Sequence, residues 1–496
     1  MKTLRYFMIA ILLVAIGCEQ VLDIEADGTI SGDIYVDDAT LEQGLLGAYY
    51  SFGGISDGSD GGELLGGDFV LMANLLAHSS DNDISWDDVN GPAYSDFIDK
   101  DVQIINTRVE ANWRRAYEVI NTVNSILANI DVASGENQSR IRGEALAMRG
   151  IVYFEMVRLW APQYTVTNPT SQLAIPVLTE PINDISEIMT PAIQTVETVY
   201  NQAESDLNEA AGLLQAFGTN GTRLSVYACW AYLARLHLQK GEFSEAYDFA
   251  NDVINSGEFS LTASPLDAFN NSSNSSEDIY AIQQTLSNTA GDVSTGTGIV
   301  NYFSSIRLGG VGAARILDNS LNTTVIENSP FFDTGNDLRA SIDTTATSST
   351  LASNITTAFY NNLSNNNTSI LSSSKYVRGD QVLPVIRLAE MHLIRAEALA
   401  TLDPLTIDAE ALADVNLIRE RAGISALTEA LLPSAFAFYD SLILERRREL
   451  IYEGHLLHDS KRLENNIGSA FAPIDANDAS LVLPIPQSET DTGTGG

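Results

Sequence analysis

The chain has 496 residues, a formal net charge of −38 and a pI near 4.2, with 45% hydrophobic residues. It is long enough for a large core or for an extended array of helices. The negative charge argues against a nucleic-acid partner, because phosphates would be repelled rather than neutralised. Cys18 and Cys229 are the two cysteines and lack metal-type pairing, so we expect stability to come from packing.

The N-terminal segment has the features of an export signal. Lys2 and Arg5 precede a short apolar run that ends at Gly17 and Cys18, in "MKTLRYFMIAILLVAIGC". The run is too short for a spanning helix and resembles a bacterial lipoprotein signal. This resemblance implies removal of residues 1–17 and lipid attachment at Cys18. The alternative is an ordinary secretory peptide with a chance cysteine.

From about residue 39 the apolar residues recur at helical spacing. In residues 113–130 they step by three or four, residues 145–159 repeat the pattern, and the Gly-containing "DVASGENQ" lies between. These two segments are therefore predicted to form an antiparallel helical hairpin. Further helices are expected near 192–216, 223–240, 243–256, 384–401, 408–422 and 436–458.

The segment 230–254, "WAYLARLHLQKGEFSEAYDFANDVI", has the spacing of a tetratricopeptide repeat. Ala234 and Ala246 let two helices approach closely, Gly241 makes the turn, and Trp230 fills the gap. "EMHLIRAEALA" followed by "DAEALADVNLIRERAGI" is a looser second copy. A single hairpin cannot bury its apolar face alone, so we expect about four pairs to stack.

Two segments depart from this helical pattern. Residues 258–375 are rich in Ser, Asn, Thr and Gly, and residues 52–108 include "SDGSDGGELLGGD". Such composition predicts loops and short strands, which is where binding usually resides on a rigid scaffold. The predicted organisation is an acidic tether (18–38), an N-terminal helical repeat region (39–257), the variable ligand-binding region (258–375), a C-terminal helical repeat region (376–489) and a flexible tail (490–496).

The passage "ERRRELIYEGHLLHDSKR", residues 445–462, concentrates charge and two histidines. On a helix, Glu445 could pair with Arg448, and Arg446 with Glu449, at i,i+3 spacing. A metal site at His455 and His458, with Glu453 or Asp459, is the alternative. Zinc-binding histidines on a helix favour i,i+4 spacing, and a third ligand is not identifiable. The passage is therefore predicted to brace the scaffold, with no bound metal.

Several passages resemble signatures of the SusD/RagB family, in the family's order. They are "WRRAYEVINTVNSIL", "GEALAMRGIVYFEMVRLW", "VIRLAEMHLIRAEALA", "LIRERAG", "ERRRELIYEGH" and "LPIPQSE", spread from 113 to 489. The resemblance implies a mostly α fold, a right-handed α-superhelix of four tetratricopeptide-like units with a loop-rich variable part. It also implies a surface lipoprotein of the outer membrane that is the lid of a SusC-like TonB-dependent transporter. Leu456, Leu457 and His458 replace the basic and aromatic residues usual in the family.

The sequence has no H-E-x-x-H and no phosphate-cradling glycine loop, and its G-x-S-x-G match, GISDG at 54–58, lies in a segment predicted as loop rather than at a strand-to-helix turn. A sugar-binding protein instead needs aromatic faces for pyranose rings and polar groups for hydroxyls. Both occur in the two loop-rich segments, although these aromatics could equally anchor loops. The ligand-binding candidates are Asp81, Asn82, Asp83, Trp86, Tyr94, Tyr302 and Arg307.

The leading hypothesis is a non-enzymatic, glycan-binding lid anchored through Cys18, without a cofactor. One alternative is a repeat scaffold that binds only other surface proteins, and another is a peptide-binding surface protein. A surface glycoside hydrolase is a third, because paired carboxylates occur throughout so acidic a chain.

Overall fold

The computed structural model describes residues 34–55, 61–77, 84–85, 93–182, 192–218, 221–285, 298–303, 317–318, 337–343, 357, 359–362, 367–465, 467 and 474–492. The signal segment, Cys18 and most of the predicted tether lie outside these ranges. α-Helices dominate the described part, as the sequence predicted. None of its helices combines the length and hydrophobicity needed to cross a bilayer.

The N-terminal half is built from long helices that pack on their neighbours in the chain. They are α1 (Asp38–Phe52), α2 (Asp68–Ala77), α3 (Ser95–Asp99), α4 (Thr107–Ala128), α5 (Gly135–Trp160), α6 (Val196–Leu214), α7 (Val226–Lys240) and α8 (Phe243–Asn255). Helices α5 and α6 form the most extensive helix–helix contact, and α4, α7 and α8 continue the stack. The hairpins predicted from the apolar periodicity are thus present.

Local signals explain where these helices begin and end. The Asn106 side chain accepts from the amides of Arg108 and Val109 at the start of α4, and Ser225 caps α7 in the same way. Gly241 ends α7 in the left-handed conformation (φ 75°), which glycine adopts without a Cβ penalty. The repeat-like turn before α8 therefore depends on Gly241, as its spacing predicted.

The C-terminal half continues the helical stack. Its helices are α9 (Ile299–Phe303), α10 (Leu388–Leu402), α11 (Ala409–Arg421), α12 (Ala435–Glu449), α13 (His455–Arg462) and α14 (Gln487–Thr492). Helix α10 packs on α8 and so joins the two halves. The superhelical sense and the number of four repeat pairs stay predictions. Helix α14 includes residues 490–492, which the sequence had assigned to a flexible tail.

Strands are short and lie mainly in the loop-rich segments. They are β1 (Ile84–Ser85), β2 (Leu173–Pro176), β3 (Ile193–Thr195), β4 (Asp278–Ile282), β5 (Leu317–Asp318), β6 (Ile342–Asp343), β7 (Phe359–Asn362), β8 (Asn367–Ser373) and β9 (Leu383–Arg387). One sheet has the order β1-β5-β8-β7-β6, and β2 pairs with β3. Strands β4 and β9 are antiparallel and close the variable region at its base.

Most buried apolar residues belong to one core that runs through α1–α8 and reaches β4 and β9. A second, smaller core fills the space between α10, α11 and α12 around Leu393, Val415 and Phe438. Cys229 is fully buried in the large core, as expected for a small apolar side chain. The frame is therefore stabilised by packing rather than by cross-links.

The helix expected over 436–458 is two helices. Helix α12 ends at Glu449, and α13 begins at His455 after a turn. Tyr452 and Gly454 have φ values of 63° and 81°, which an α-helix cannot accommodate. The prediction of one continuous helix was wrong because the left-handed backbone conformation at Tyr452 and Gly454 interrupts the helix.

Two glycines give a matched test of the α5–α6 contact. A Cβ on Gly150 would lie 2.9 Å from the carbonyl oxygen of Ala203, whereas a Cβ on Gly212 would meet nothing within 4 Å. Gly150→Ala should lower the free energy of unfolding by about 1–3 kcal/mol, because the helices must move apart. Gly212→Ala should raise it by up to about 1 kcal/mol. Urea unfolding followed by circular dichroism measures both, and equal effects would contradict the close packing.

Candidate functional site

The two loop-rich segments meet at one buried carboxylate on the frame. Asp68, the first residue of α2, accepts hydrogen bonds from the hydroxyl groups of Tyr94 (3.0 Å) and Tyr302 (2.6 Å). The other carboxylate oxygen accepts from the amide of Asn112 (2.6 Å) and pairs with the Arg108 guanidinium. We call these five residues the loop junction. It joins the first loop-rich segment, through Asp68 and Tyr94, to the second, through Tyr302.

Glycines allow the backbones of the two segments to touch beside the loop junction. A Cβ on Gly62 would lie 2.6 Å from the amide nitrogen of Gly298, and one on Gly67 would lie 2.5 Å from that of Ile299. Gly62 and Gly67 also have φ values of 83° and 150°. Any larger residue would push the segments apart, so these positions require glycine.

The same two segments are also joined by strand pairing. Strand β1, from the first segment, pairs antiparallel with β5, from the second, with Ile84 opposite Asp318. Strand β5 then pairs with β8, so β1 is the edge of the five-stranded sheet. The two segments that the sequence nominated for binding therefore form one structural unit.

Burial raises the pKa of the Tyr94 and Tyr302 hydroxyls, and the nearby Asp68 carboxylate raises them further. Both tyrosines therefore stay protonated and donate. Tyr302 is fully buried, and Tyr94 is 8% exposed. The structure places these two candidates in the loop-anchoring role, with no ring face available for a sugar. Asp81, Asn82, Asp83, Trp86 and Arg307 lie outside the described residues, so their ligand-binding role stays a prediction.

A second buried assembly holds the variable region to the frame, and Arg387 is its centre. The guanidinium of Arg387, at the end of β9, bonds to Glu449 (2.8 Å), to Glu453 (2.8 Å) and to Glu277 (3.1 Å). Lys375 also binds Glu453, at 2.6 Å. Around this centre, Arg339, Arg419 and Arg421 extend the ion-pair network to Asp337 and Glu445.

All of residues 445–462 except Arg447 are buried or half-buried, in agreement with a bracing role. The pairing of Glu445 with Arg448 is present at 3.5 Å. The pairing of Arg446 with Glu449 was wrong: Arg446 binds Asp459 at 2.8 Å, and Glu449 faces Arg387. Buried charges on a helix take partners from neighbouring elements, which i,i+3 spacing on one helix does not reveal.

One group of metal-type ligands occurs in the described residues, and the sequence did not suggest it. Side-chain atoms of Glu204, His237 and Glu242 lie within 4.8 Å of one another. The Lys240 ammonium contacts both carboxylates at 2.8 Å. The lysine ammonium therefore already pairs with both carboxylates and offsets one of their two negative charges. His455 and His458 have no comparable third ligand within the described ranges.

The helical frame and its charged interior match one protein family. The profile described as "SusD family" matches residues 251–480, and the profile described as "Starch-binding associating with outer membrane" matches residues 71–238. Together these two matches span most of the chain. The chain belongs to the SusD family.

Relatives of this SusD-family chain have similar lengths. "SusD-like protein P2" from Formosa agariphila is 26% identical, with 99% of this chain and 97% of the relative aligned. A SusD superfamily protein from Bacteroides thetaiotaomicron superposes with a TM-score of 0.74 at 24% identity, covering 92% of this chain and 98% of its own. A "Laminarin binding SusD-like protein" superposes with a TM-score of 0.65 at 21% identity, with 92% and 98% covered. These structures establish the shared fold.

Stability should fall in acid because the network carboxylates are ionised. Burial opposes ionisation of Glu453, but Arg387 and Lys375 outweigh it and lower its pKa to about 2. The unfolded chain therefore binds this proton at higher pH, and the stabilisation present above pH 4.5 is lost as the pH falls towards 2. Glu453 alone should contribute on the order of 3 kcal/mol. Burial lowers the pKa of His455 to about 4, which adds a loss between pH 6.5 and 4.

Urea unfolding at pH 7, 5, 4 and 3 tests this prediction. Glu453→Gln should be less stable than the wild type at pH 7 and should lose less stability below pH 4.5. Glu429→Gln, at an exposed position, is the matched control and should follow the wild type. Equal pH profiles for Glu453→Gln and the wild type would contradict the assignment.

Proposed function

We propose that this SusD-family chain is a cell-surface glycan-binding protein whose ligand contacts lie in its two loop-rich segments. The observation that carries the proposal is the union of these segments: the loop junction and the β1–β5 pairing hold them together on one helical frame. Support comes from the family profile described as starch-binding and from the laminarin-binding structural neighbour. A rigid frame that presents irregular segments is a common arrangement for ligand recognition.

We further propose that the protein is anchored in the outer membrane through Cys18 and is the lid of a SusC-like TonB-dependent transporter. The lipoprotein-type signal supports the anchor, and the profile "associating with outer membrane" supports the location. The transporter comes from the family resemblance. Metabolic labelling with a palmitate analogue tests the anchor, since Cys18→Ser should abolish labelling.

We propose that the protein is not an enzyme. The buried carboxylates of the frame are neutralised by arginines, so they are poor acids or bases for a substrate. In this proposal, the buried polar groups with strongly altered pKa values stabilise the fold and do not take part in catalysis. Release of reducing sugar from any bound polysaccharide by the purified protein would contradict this part of the proposal.

The ligand is expected to be a neutral polysaccharide rather than an anionic one. Residues 52–108 contain eleven Asp and Glu residues and two Lys and Arg residues, so anionic polymers would be repelled. Isothermal titration with laminarin, starch, alginate and a carrageenan separates these classes. Binding to a neutral glucan is the expected result. No binding to any glycan, with retained binding to a transporter, would favour a protein-binding scaffold.

Trp86 is the residue whose change should affect glycan affinity most directly. Trp86→Ala should weaken binding by about 1–3 kcal/mol, the loss of one aromatic platform, while thermal stability stays near the wild-type value. Tyr302→Phe provides the contrast, because its hydroxyl bonds to Asp68 within the frame. That variant should lower thermal stability and leave the affinity of folded protein unchanged. If Trp86→Ala instead lowered only thermal stability and Tyr302→Phe lowered only affinity, Trp86 would be the anchor and Tyr302 the ligand contact.

A further inference from the structure

A small polar cavity lies where α5, α7 and the start of α13 meet. Its volume is about 50 Å³, which exceeds the ~10–15 Å³ that one water-sized particle needs. Apolar residues such as Phe69 and Leu383 form one wall. The polar lining consists of Glu155, Arg158, Tyr232, Arg235, Tyr376, Glu453, His455 and His458. Both carboxylate oxygens of Glu453 are already bound by Lys375 and Arg387. We call this space the α13 cavity.

Two hydrogen-bonding groups of the α13 cavity have no partner. Within the described residues, neither the Arg158 Nε–H nor the Tyr232 hydroxyl makes a hydrogen bond. Arg158 is 7% exposed and Tyr232 is fully buried, so bulk water does not replace the missing partners. A buried donor without an acceptor costs about 1–3 kcal/mol, and more when it is charged. These two groups therefore favour an occupant that accepts hydrogen bonds.

The start of α13 offers a further site for negative charge. This helix of eight residues begins at the cavity wall, where Gly454 is its N-cap residue in a left-handed conformation. Its first turn has no side-chain cap and contains no acidic residue. Backbone N–H groups at an uncapped helix N-terminus attract anions through the helix dipole.

The charged residues that line the α13 cavity balance one another, Arg158 and Arg235 against Glu155 and Glu453, and one neighbouring lysine leaves a positive charge in excess. Four arginines and four carboxylates alternate along a chain of ion pairs, in the order Arg158, Glu155, Arg235, Glu390, Arg446, Asp459, Arg462, Glu397. Lys461 is left over. Its ammonium donates to the carbonyl oxygens of Arg158 (3.4 Å) and Ala161 (3.3 Å), and in the described part of the chain it has no carboxylate partner.

Titration of the neighbouring groups agrees with this excess. Burial and the nearby Arg158 together lower the pKa of Lys461 to about 8. Burial also lowers the pKa of His458, and the cationic groups Arg158, Lys461 and Arg235 lower it further. An uncompensated buried charge costs several kcal/mol, so a counter-ion in the cavity would stabilise the fold.

We propose that the α13 cavity binds one monovalent anion of halide size. The Arg158 Nε–H and the Tyr232 hydroxyl donate to it, and the first turn of α13 provides the favourable dipole. Bound there, the anion links α5, α7 and α13, and so couples the halide concentration to the stability of the frame. This site is separate from the proposed glycan-binding segments and does not rest on that function.

Thermal unfolding of the mature chain tests the proposal at constant ionic strength, with chloride or bromide replacing gluconate. The melting temperature should rise with halide and saturate, as for a single site. Tyr232→Phe keeps the ring and removes one donor, so half-saturation should require about tenfold more halide. Tyr117→Phe is the matched control, since it removes a buried hydroxyl that donates to Pro176 elsewhere, and it should keep wild-type halide dependence.

Crystals soaked in bromide give an independent readout. An anomalous peak between Arg158 and Tyr232 is the expected result. Ordinary water density in the α13 cavity without an anomalous peak would overturn the proposal. So would a melting temperature that depends on ionic strength alone.

Discussion

The rest of the structure depends on the buried ion pairs that the Arg387 guanidinium makes. Arg387 is 1% exposed and meets three carboxylates, those of Glu277, Glu449 and Glu453. A buried arginine with fewer partners would destabilise the fold, because its charge would remain unpaired in a medium of low dielectric. Glu277 precedes β4, Arg387 ends β9, and the other two carboxylates belong to the C-terminal part of the frame. Satisfying one cation therefore fixes the base of the variable region against the helices.

The loop junction does the same for another part of the variable region, through Tyr302. Its carboxylate, Asp68, binds two tyrosines and an arginine from three separate stretches of chain. The central carboxylates of both assemblies, those of Asp68, Glu449 and Glu453, are held by protein donors, so they are poor contacts for a ligand. The proposed function therefore assigns the ligand contacts to the residues that these assemblies hold in position. This division between frame and loops is the physical basis of the glycan-binding proposal.

The helices were predictable because their signals are local. Apolar spacing and Gly241 set the repeat hairpin over 230–254, and α7 and α8 have bounds of Val226–Lys240 and Phe243–Asn255. Helix α2 was not separated from the loop-rich segment around it. Its sequence, "DFVLMANLLA", is apolar on all sides and shows no stripe. Its burial against α3, the next helix, and against α13, which is distant in sequence, creates the helix's environment.

The site was less predictable, because its central residues have no local signature. Asp68 is one of 65 acidic residues, and its four partners lie up to 234 positions away in the chain. The same holds for Arg446, because its partner Asp459 lies beyond the turn that separates α12 from α13. Tyr94 and Tyr302 are of a residue type that can stack on a sugar, but their burial is that of structural anchors. Composition nominated the two loop-rich segments for binding, whereas only the three-dimensional contacts separated anchors from candidates.

The most direct test of this account is glycan affinity after replacement of residues 78–92 by a Gly–Ser sequence of equal length. The frame assemblies lie outside this segment, so the variant should keep its helical circular dichroism spectrum. The account predicts that binding to the glycan recognised by the wild type is lost. A folded variant that binds this glycan with wild-type affinity would contradict it.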